Sequence, residues 1–317
     1  MLNRRYFIYQ SVLATAGLGL IRCAGNSNSR QESQTPSNAD MPAPDNNLPY
    51  LDTIGIQLWT VRNQMAEDPR ATLQALADIG YQQVELMDTR QIAQLKPICD
   101  DLGLAVNSSF MMWATLTGRW DLVPDEKEQF TFDTVLEQVS EGGLSHLVFG
   151  YLNPGERETA DDWKRRIEEL NVAGEKARRA GIQMAYHNHN FEWDPVDGTT
   201  GWALLKAGLD PTLIPFELDV AWVAMAGQDP VTVLDSISDR TVLMHIKNLI
   251  DLPQAYTTLD AMPPDSFIEL GKGQLDIPAL MSAAKKASTT HCFYEQDNNW
   301  HPDALGSAQM SLDFLRS

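Results

Sequence analysis

The segment Tyr186-His187-Asn-His189-Asn-Phe-Glu192 puts two imidazoles two residues apart, directly after an apolar run. In an extended chain alternate side chains share a face, so His187 and His189 are expected to project together. The same spacing recurs in Glu217-Leu-Asp219, His245-Ile-Lys247 and Glu295-Gln-Asp297, while Glu85 ends another apolar run ahead of Asp88. Imidazole and carboxylate together can hold a divalent ion and leave positions open for a substrate. The bland alternative is mutual pairing, Lys247 with Asp219 and His245 with Glu295. Buried charges without either solution are prohibitively costly.

A repeating unit carries these residues. From Thr53 onward an apolar strand, a loop, an amphipathic helix and a glycine alternate. The strands are read as Ile54–Trp59, Gln83–Met87, Ala105–Ser109, His146–Gly150, Gln183–His187, Ile214–Asp219, Val242–Lys247 and Cys292–Glu295. Helical patterns lie near 69–79, 90–101, 126–141, 160–180, 199–207, 229–237, 276–287 and 302–315. Pro69 and Pro230 suit a first helical turn, with Asp68 and Asp229 before them as caps. Gly80, Gly103, Gly143, Gly181 and Gly208 stand where the chain must leave a helix with positive φ before the next strand. Eight such units over about 265 residues match a single-domain α/β fold, the (β/α)₈ TIM barrel. A doubly wound open sheet would need a glycine-rich phosphate turn after its first strand, which Ile56-Gln-Leu-Trp-Thr-Val lacks. In a parallel barrel the site forms at the C-terminal strand ends. Convergence of four polar pairs on that mouth favours a metal over pairing alone.

The motifs Ile56-Gln-Leu-Trp-Thr-Val-Arg62, Tyr81-Gln-Gln-Val-Glu85, Tyr186-His-Asn-His-Asn-Phe-Glu192, Glu217-Leu-Asp219-Val-Ala-Trp222, His245-Ile-Lys247-Asn and Glu295-Gln-Asp297 together resemble the sugar phosphate isomerase/epimerase family, the xylose isomerase-like barrels. The resemblance runs from about residue 52 to the C-terminus. It implies one divalent ion (Mn, Co, Zn, Fe or Mg) held from strands five to eight, which carries over to Asp219, His245 and Glu295. The remaining ligand is commonly glutamate in that family; here the position is His187, with His189 after it. The resemblance also implies an enzyme that removes a proton beside a sugar carbonyl through an enediolate. Epimerases of the family use two glutamates on opposite faces of the carbon. With His187 replacing one, Glu295 is the clear base, and Glu192 or Glu217 is a possible substitute. Lys247 and His189 are expected to hydrogen-bond the oxyanion or supply a proton. Glu85, Glu217, Trp59, Trp113 and Trp222 are expected to bind substrate, since indole faces suit a pyranose ring; Trp193 and Trp300 also lie just beyond strand ends.

The function expected is therefore a metal-dependent sugar isomerase or epimerase. A lyase that eliminates the glycosidic oxygen of a 3-keto-glycoside is the alternative, and a non-catalytic carbohydrate-binding barrel is an alternative of another class. A DNA-repair endonuclease would need more metal ligands and a basic groove. A net charge of −19 over 317 residues argues against a nucleic-acid partner. The expected partner is a small sugar or glycoside.

Ahead of the barrel, Asn3-Arg4-Arg5-Tyr6-Phe7-Ile8 and the apolar run Ser11 to Ile21 form a twin-arginine-type leader, too short to span a bilayer comfortably. Cys23 resembles a lipoprotein attachment cysteine, although Arg22 departs from that pattern; lipidation and ordinary cleavage both stay open. Loss of residues 1–22, with three arginines and no acids, moves the charge from −19 to −22. The organisation read is a signal segment at 1–23, a disordered linker at 24–50 and a barrel at 51–317. The expected location is the periplasm, free or anchored to the membrane facing it. Cys99 and Cys292 give no reason to expect a disulfide.

Overall fold

Gln183–His187 forms a strand with the limits its sequence gives, and the seven other apolar runs also fold as strands. The computed structural model describes residues 53–123 and 129–317; the leader, Cys23 and the linker lie outside the described residues. The barrel strands are β1 (Gly55–Gln57), β2 (Gln83–Leu86), β3 (Ala105–Phe110), β4 (His146–Phe149), β5 (Gln183–His187), β6 (Phe216–Asp219), β7 (Thr241–Ile246) and β8 (His291–Tyr294). All neighbours are parallel, and the sheet closes in the order β1-β8-β7-β6-β5-β4-β3-β2. Helices lie between consecutive strands, so the expected (β/α)₈ barrel is the fold observed.

The differences have local causes. β1 stops at Gln57 rather than Trp59, because the Gln57 side chain accepts the Trp59 amide and starts a 3₁₀ turn, Leu58–Val61. Asp68 and Asp229 cap as expected, on the amides of Ala71 and Thr232. Gly80, Gly103, Gly143 and Gly181 adopt φ of +110°, +71°, +69° and +77°. Gly208 does not: it is the last residue of helix Gly201–Gly208. Its lack of a side chain serves packing instead, since a Cβ there would lie 2.9 Å from Ile167 on helix Ala160–Arg179. The pattern read from 126 gives a helix over Phe132–Gly142, capped by Thr131. Three short helices, Arg62–Glu67, Ala114–Thr117 and Val220–Met225, were not foreseen, because four to six residues show too little periodicity to read.

Two apolar layers set the strand ends. Outward side chains of the strands pack under the helices in one continuous core, with Tyr186, Phe149 and Phe216 among its largest buried members. Inward, Val148, Ala185, Leu243 and Phe293 plug the barrel together with Phe110. Phe110 forms the floor of the site above, edge-on to His187 at 5.1 Å and stacked on His245 at 5.8 Å. Gly150 makes room for it: a Cβ would fall 2.3 Å from Phe110 Cε2. Gly150→Ala is therefore expected to cost about 1–3 kcal/mol by overpacking, read as a lower denaturant midpoint at unchanged slope. Cys99 and Cys292 are both buried free thiols.

Candidate metal and catalytic centre

His187 closes β5, Glu217 and Asp219 lie on β6, and His245 lies on β7 with Lys247 just beyond it. Glu295 and Asp297 follow β8. All but Asp297 are buried at the C-terminal mouth of the barrel. The two-residue periodicity thus delivers the expected side chains to one place.

Their contacts form one network. His245 Nδ1 lies 2.8 Å from Glu295 Oε2, and its Nε2 lies 2.6 Å from Glu85 Oε2. His187 Nδ1 lies 3.0 Å from Glu217 Oε2, and its Nε2 faces Asp219 Oδ2 at 3.9 Å. The Lys247 ammonium is ringed by Asp219 Oδ2 at 3.0 Å, Glu295 Oε2 at 2.7 Å and Asp297 Oδ2 at 2.7 Å. Both pairings foreseen as the bland alternative, Lys247 with Asp219 and His245 with Glu295, are therefore made. They do not exhaust the donor set. Asp219 Oδ1 accepts the Ala221 and Trp222 amides and so caps helix Val220–Met225, whereas Oδ2 is buried and meets the Lys247 ammonium at 3.0 Å as an ion pair without hydrogen-bond geometry. Glu217 Oε1 is likewise buried and unpartnered.

The charges explain the protonation pattern. Burial, then the neighbouring Glu85, pushes the Glu217 carboxyl well above the usual carboxylate range, and burial raises Asp219 as well. Burial also pushes Glu295 up, but Lys247 and His245 outweigh it and hold this carboxyl at about 2. Asp297 is pushed up to about 6 by burial, against the pull of Lys247. Burial and the nearby His245 drive His187 well below the ordinary imidazole range; His245, facing Glu217, Glu85 and Glu295, is raised well above it despite its own burial.

His189 sits beyond the end of β5, its ring 5.2 Å from that of His187. It stacks on Phe191 at 5.1 Å and lies 5.2 Å from the Trp222 indole. Its Nδ1 is buried and has no hydrogen-bond partner among the described residues. Trp222 also flanks Lys247, 5.4 Å from ammonium to ring. Trp59 and Trp300 stand at the rim with Arg62 over both rings, at 4.5 and 4.8 Å, and Arg62 donates to the carbonyls of Trp59 and Asp297. Trp113 packs edge-on to Tyr151 in the core.

Contacts fix the places of four further candidates. Trp193 stacks on Trp202 at 4.7 Å, away from the mouth. Glu192 accepts the Tyr186 hydroxyl and the His189 amide, both at 2.9 Å, so it braces the loop and is not a spare base. Glu85 and Glu217 lie below the histidines and bond to them. Gln57 and Ser108, which donate to Glu85, and the floor residue Phe110 were missed. A polar residue ending β1 was a usable signal for Gln57; nothing comparable marked Phe110.

Glu192 also predicts a pH effect. Burial raises it to about 7, so the unfolded chain loses this proton near pH 4.5 and the folded chain only near 7. Stability should fall as pH rises through that window, by about 3 kcal/mol from this group, and stay flat above it. In Glu192→Gln the amide can serve both partners, and denaturant unfolding from pH 4.5 to 8 should show a decline shallower by that amount.

Residues 73–317 match the family model of the xylose isomerase-like TIM barrel. The chain belongs to that family. Solved structures resemble it over most of their length: a sugar phosphate isomerase/epimerase from Parabacteroides distasonis superposes with a TM-score of 0.64 at 24% identity, covering 83% of this chain and 93% of that one. The IOLI protein, solved with a bound zinc atom, gives 0.61 at 12% identity over 82% and 95%. Both likenesses are of fold. In sequence, an inosose dehydratase of Lacticaseibacillus casei is 30% identical over 91 residues, 29% of this chain and 30% of that protein. The chain thus spans less than a third of the length of the curated relatives it matches.

The donor set of this barrel fits a divalent ion. His187, Asp219 and His245 bring ligand atoms within 4.8 Å of one another, and the buried Oδ2 of Asp219 carries the Lys247 ion pair but no hydrogen bond among the described residues. Mixed nitrogen and oxygen donors suit the transition metals and magnesium.

Proposed function

We propose that this barrel is a metal-dependent enzyme that removes the proton beside the carbonyl of a sugar or cyclic polyol ketone and then expels the oxygen substituent on the next carbon. The observation that carries this reading is the asymmetry of the bases. Glu295 is an ionised carboxylate at the mouth whose contacts fall on Oε2, leaving Oε1 for a substrate proton. The opposite strand end holds His187, whose Nδ1 is engaged with Glu217. One base suffices for elimination, whereas an epimerase returns a proton from the other face.

His187, Asp219, His245 and Glu295 would hold the ion, which when bound supplies the Lewis acidity that lowers the cost of an enediolate. Glu295 takes the α-proton. The Lys247 ammonium, ringed by three carboxylates, sets its positive charge near the developing oxyanion. His189, whose buried Nδ1 has no hydrogen-bond partner among the described residues, shuttles a proton to the departing oxygen. The carbon–oxygen bond breaks as the enediolate collapses, and the products are an unsaturated ketone and water or an alcohol. Trp59, Trp300 and Trp222 offer the apolar faces that a sugar ring needs.

Likeness to a protein named inosose dehydratase supports elimination; likeness to one titled sugar phosphate isomerase/epimerase supports the second reading, isomerisation or epimerisation with His189 as the second acid–base group. Proton NMR in deuterated water separates them. Release of water or alcohol from an inosose or a 3-keto-glycoside supports elimination; deuterium at one carbon with the skeleton retained refutes it. Binding without turnover of any such ketone, with the ion loaded, would leave a carbohydrate-binding barrel. Export by the leader belongs to the same proposal: the mature chain should appear in the periplasmic fraction and stay in the cytoplasm when Arg4 and Arg5 are both replaced by lysine.

A further inference from the structure

Two carboxyls lie beneath the centre and face the histidines from behind. Glu85 on β2 meets His245 Nε2 at 2.6 Å, and Glu217 on β6 meets His187 Nδ1 at 3.0 Å. Glu85 is itself fixed: Gln57 Nε2 donates to its Oε2 at 2.8 Å, and Ser108 Oγ donates to its Oε1. The backbone is adjusted at both places. Pairing of β2 with β3 runs Val84 to Val106 and then Glu85 to Ser108, skipping Asn107; pairing of β6 with β7 runs Phe216 to Thr241 and then Glu217 to Leu243, skipping Val242. Such shifts re-aim side chains next to a site. The first brings Glu85 level with Ser108, the residue that holds it.

We infer that Glu85 and Glu217 are positioning residues that fix opposite tautomers of the two histidines, so that His245 presents Nδ1 and His187 presents Nε2 to the ion. A histidine ligand generally donates its other ring N–H to a carboxylate or carbonyl, which sets the ring's orientation and basicity. Here one histidine gives its Nε2–H to Glu85 and the other its Nδ1–H to Glu217. The remaining nitrogens both face Asp219 Oδ2, His245 Nδ1 at 3.8 Å and His187 Nε2 at 3.9 Å. These carboxyls therefore act through the imidazoles and do not touch the substrate. Phe110, against both rings, limits their tilt from the inner side.

This inference rests on the metal-dependent reading, and the experiment keeps the two apart. Full-length protein labelled with ¹⁵N-histidine is titrated with zinc. If no zinc binds, the metal reading itself fails. If one ion binds, ¹⁵N shifts should report ligation through Nδ1 of His245 and Nε2 of His187; ligation through the same nitrogen type in both rings overturns the inference. Two bound ions would make Glu85 and Glu217 ligands and also overturn it. Glu85→Gln and Glu217→Gln should each weaken zinc about 10–100-fold in a chelator competition, while KM for the ketone stays within twofold. A raised KM with unchanged zinc affinity would return both residues to substrate binding. Should either variant fail to fold, the ¹⁵N assignment on the parent chain still decides.

Discussion

Glu295→Gln is expected to slow turnover of an inosose or 3-keto-glycoside by about 10³-fold, the usual weight of a positioned general base, while the protein remains folded. The amide keeps the shape and can still accept from Lys247, which donates to this side chain at 2.7 Å in the parent. What it loses is the ability to take a proton. The measurement is single-turnover elimination, with the rate of α-proton exchange into deuterated water as a second readout. Both should fall together, because both begin with the same transfer. Near-full turnover with the ion retained would place the base elsewhere, and Asp297, on the far side of Lys247, would be the next residue to test.

The second large effect is on stability. Lys247 is 1% exposed and touches Asp219, Glu295 and Asp297. Lys247→Met keeps much of the stem and removes the ammonium that these carboxylates share. Breaking one partner out of a buried ionic cluster costs about 3–5 kcal/mol, so the ion-free variant should unfold at a markedly lower denaturant concentration. Saturating divalent ion should restore part of the loss, because a ligand bound only by the folded state stabilises it. If ion-free Lys247→Met matches the parent in stability, the cluster relaxes by taking up protons and the ammonium is not its counter-charge.

The fold could be read from the chain because the signals were repeated and physical: apolar runs of strand length, helical periodicity, and glycines at the exits. Four of five exit glycines have the positive φ that their position implies. Gly208 failed because a packing contact between helices calls for the same residue type. The centre was legible to the extent that periodicity reaches. A spacing of two put His187, Asp219, His245, Lys247 and Glu295 at one mouth. It could not show which carboxyls stand in front of the imidazoles and which behind, since that depends on the skipped residues in two ladders. Glu192 and Trp193 could not be placed for a related reason: the chain turns into a 3₁₀ segment at Phe191, and alternation no longer applies.

Asp219 has only half of itself to offer. Oδ1 is committed to two amides at the start of helix Val220–Met225, so the carboxylate cannot rotate to grip with both oxygens unless the helix is released. Large cations that collect six to eight oxygens, calcium among them, draw on monodentate and bidentate carboxylates alike, and the bidentate mode is closed here. On the metal-dependent reading, a mouth built this way would gauge ionic radius. Calcium would have to loosen the helix to settle, and would register as faster hydrogen exchange at Ala221 and Trp222, whereas a smaller ion would leave those amides protected.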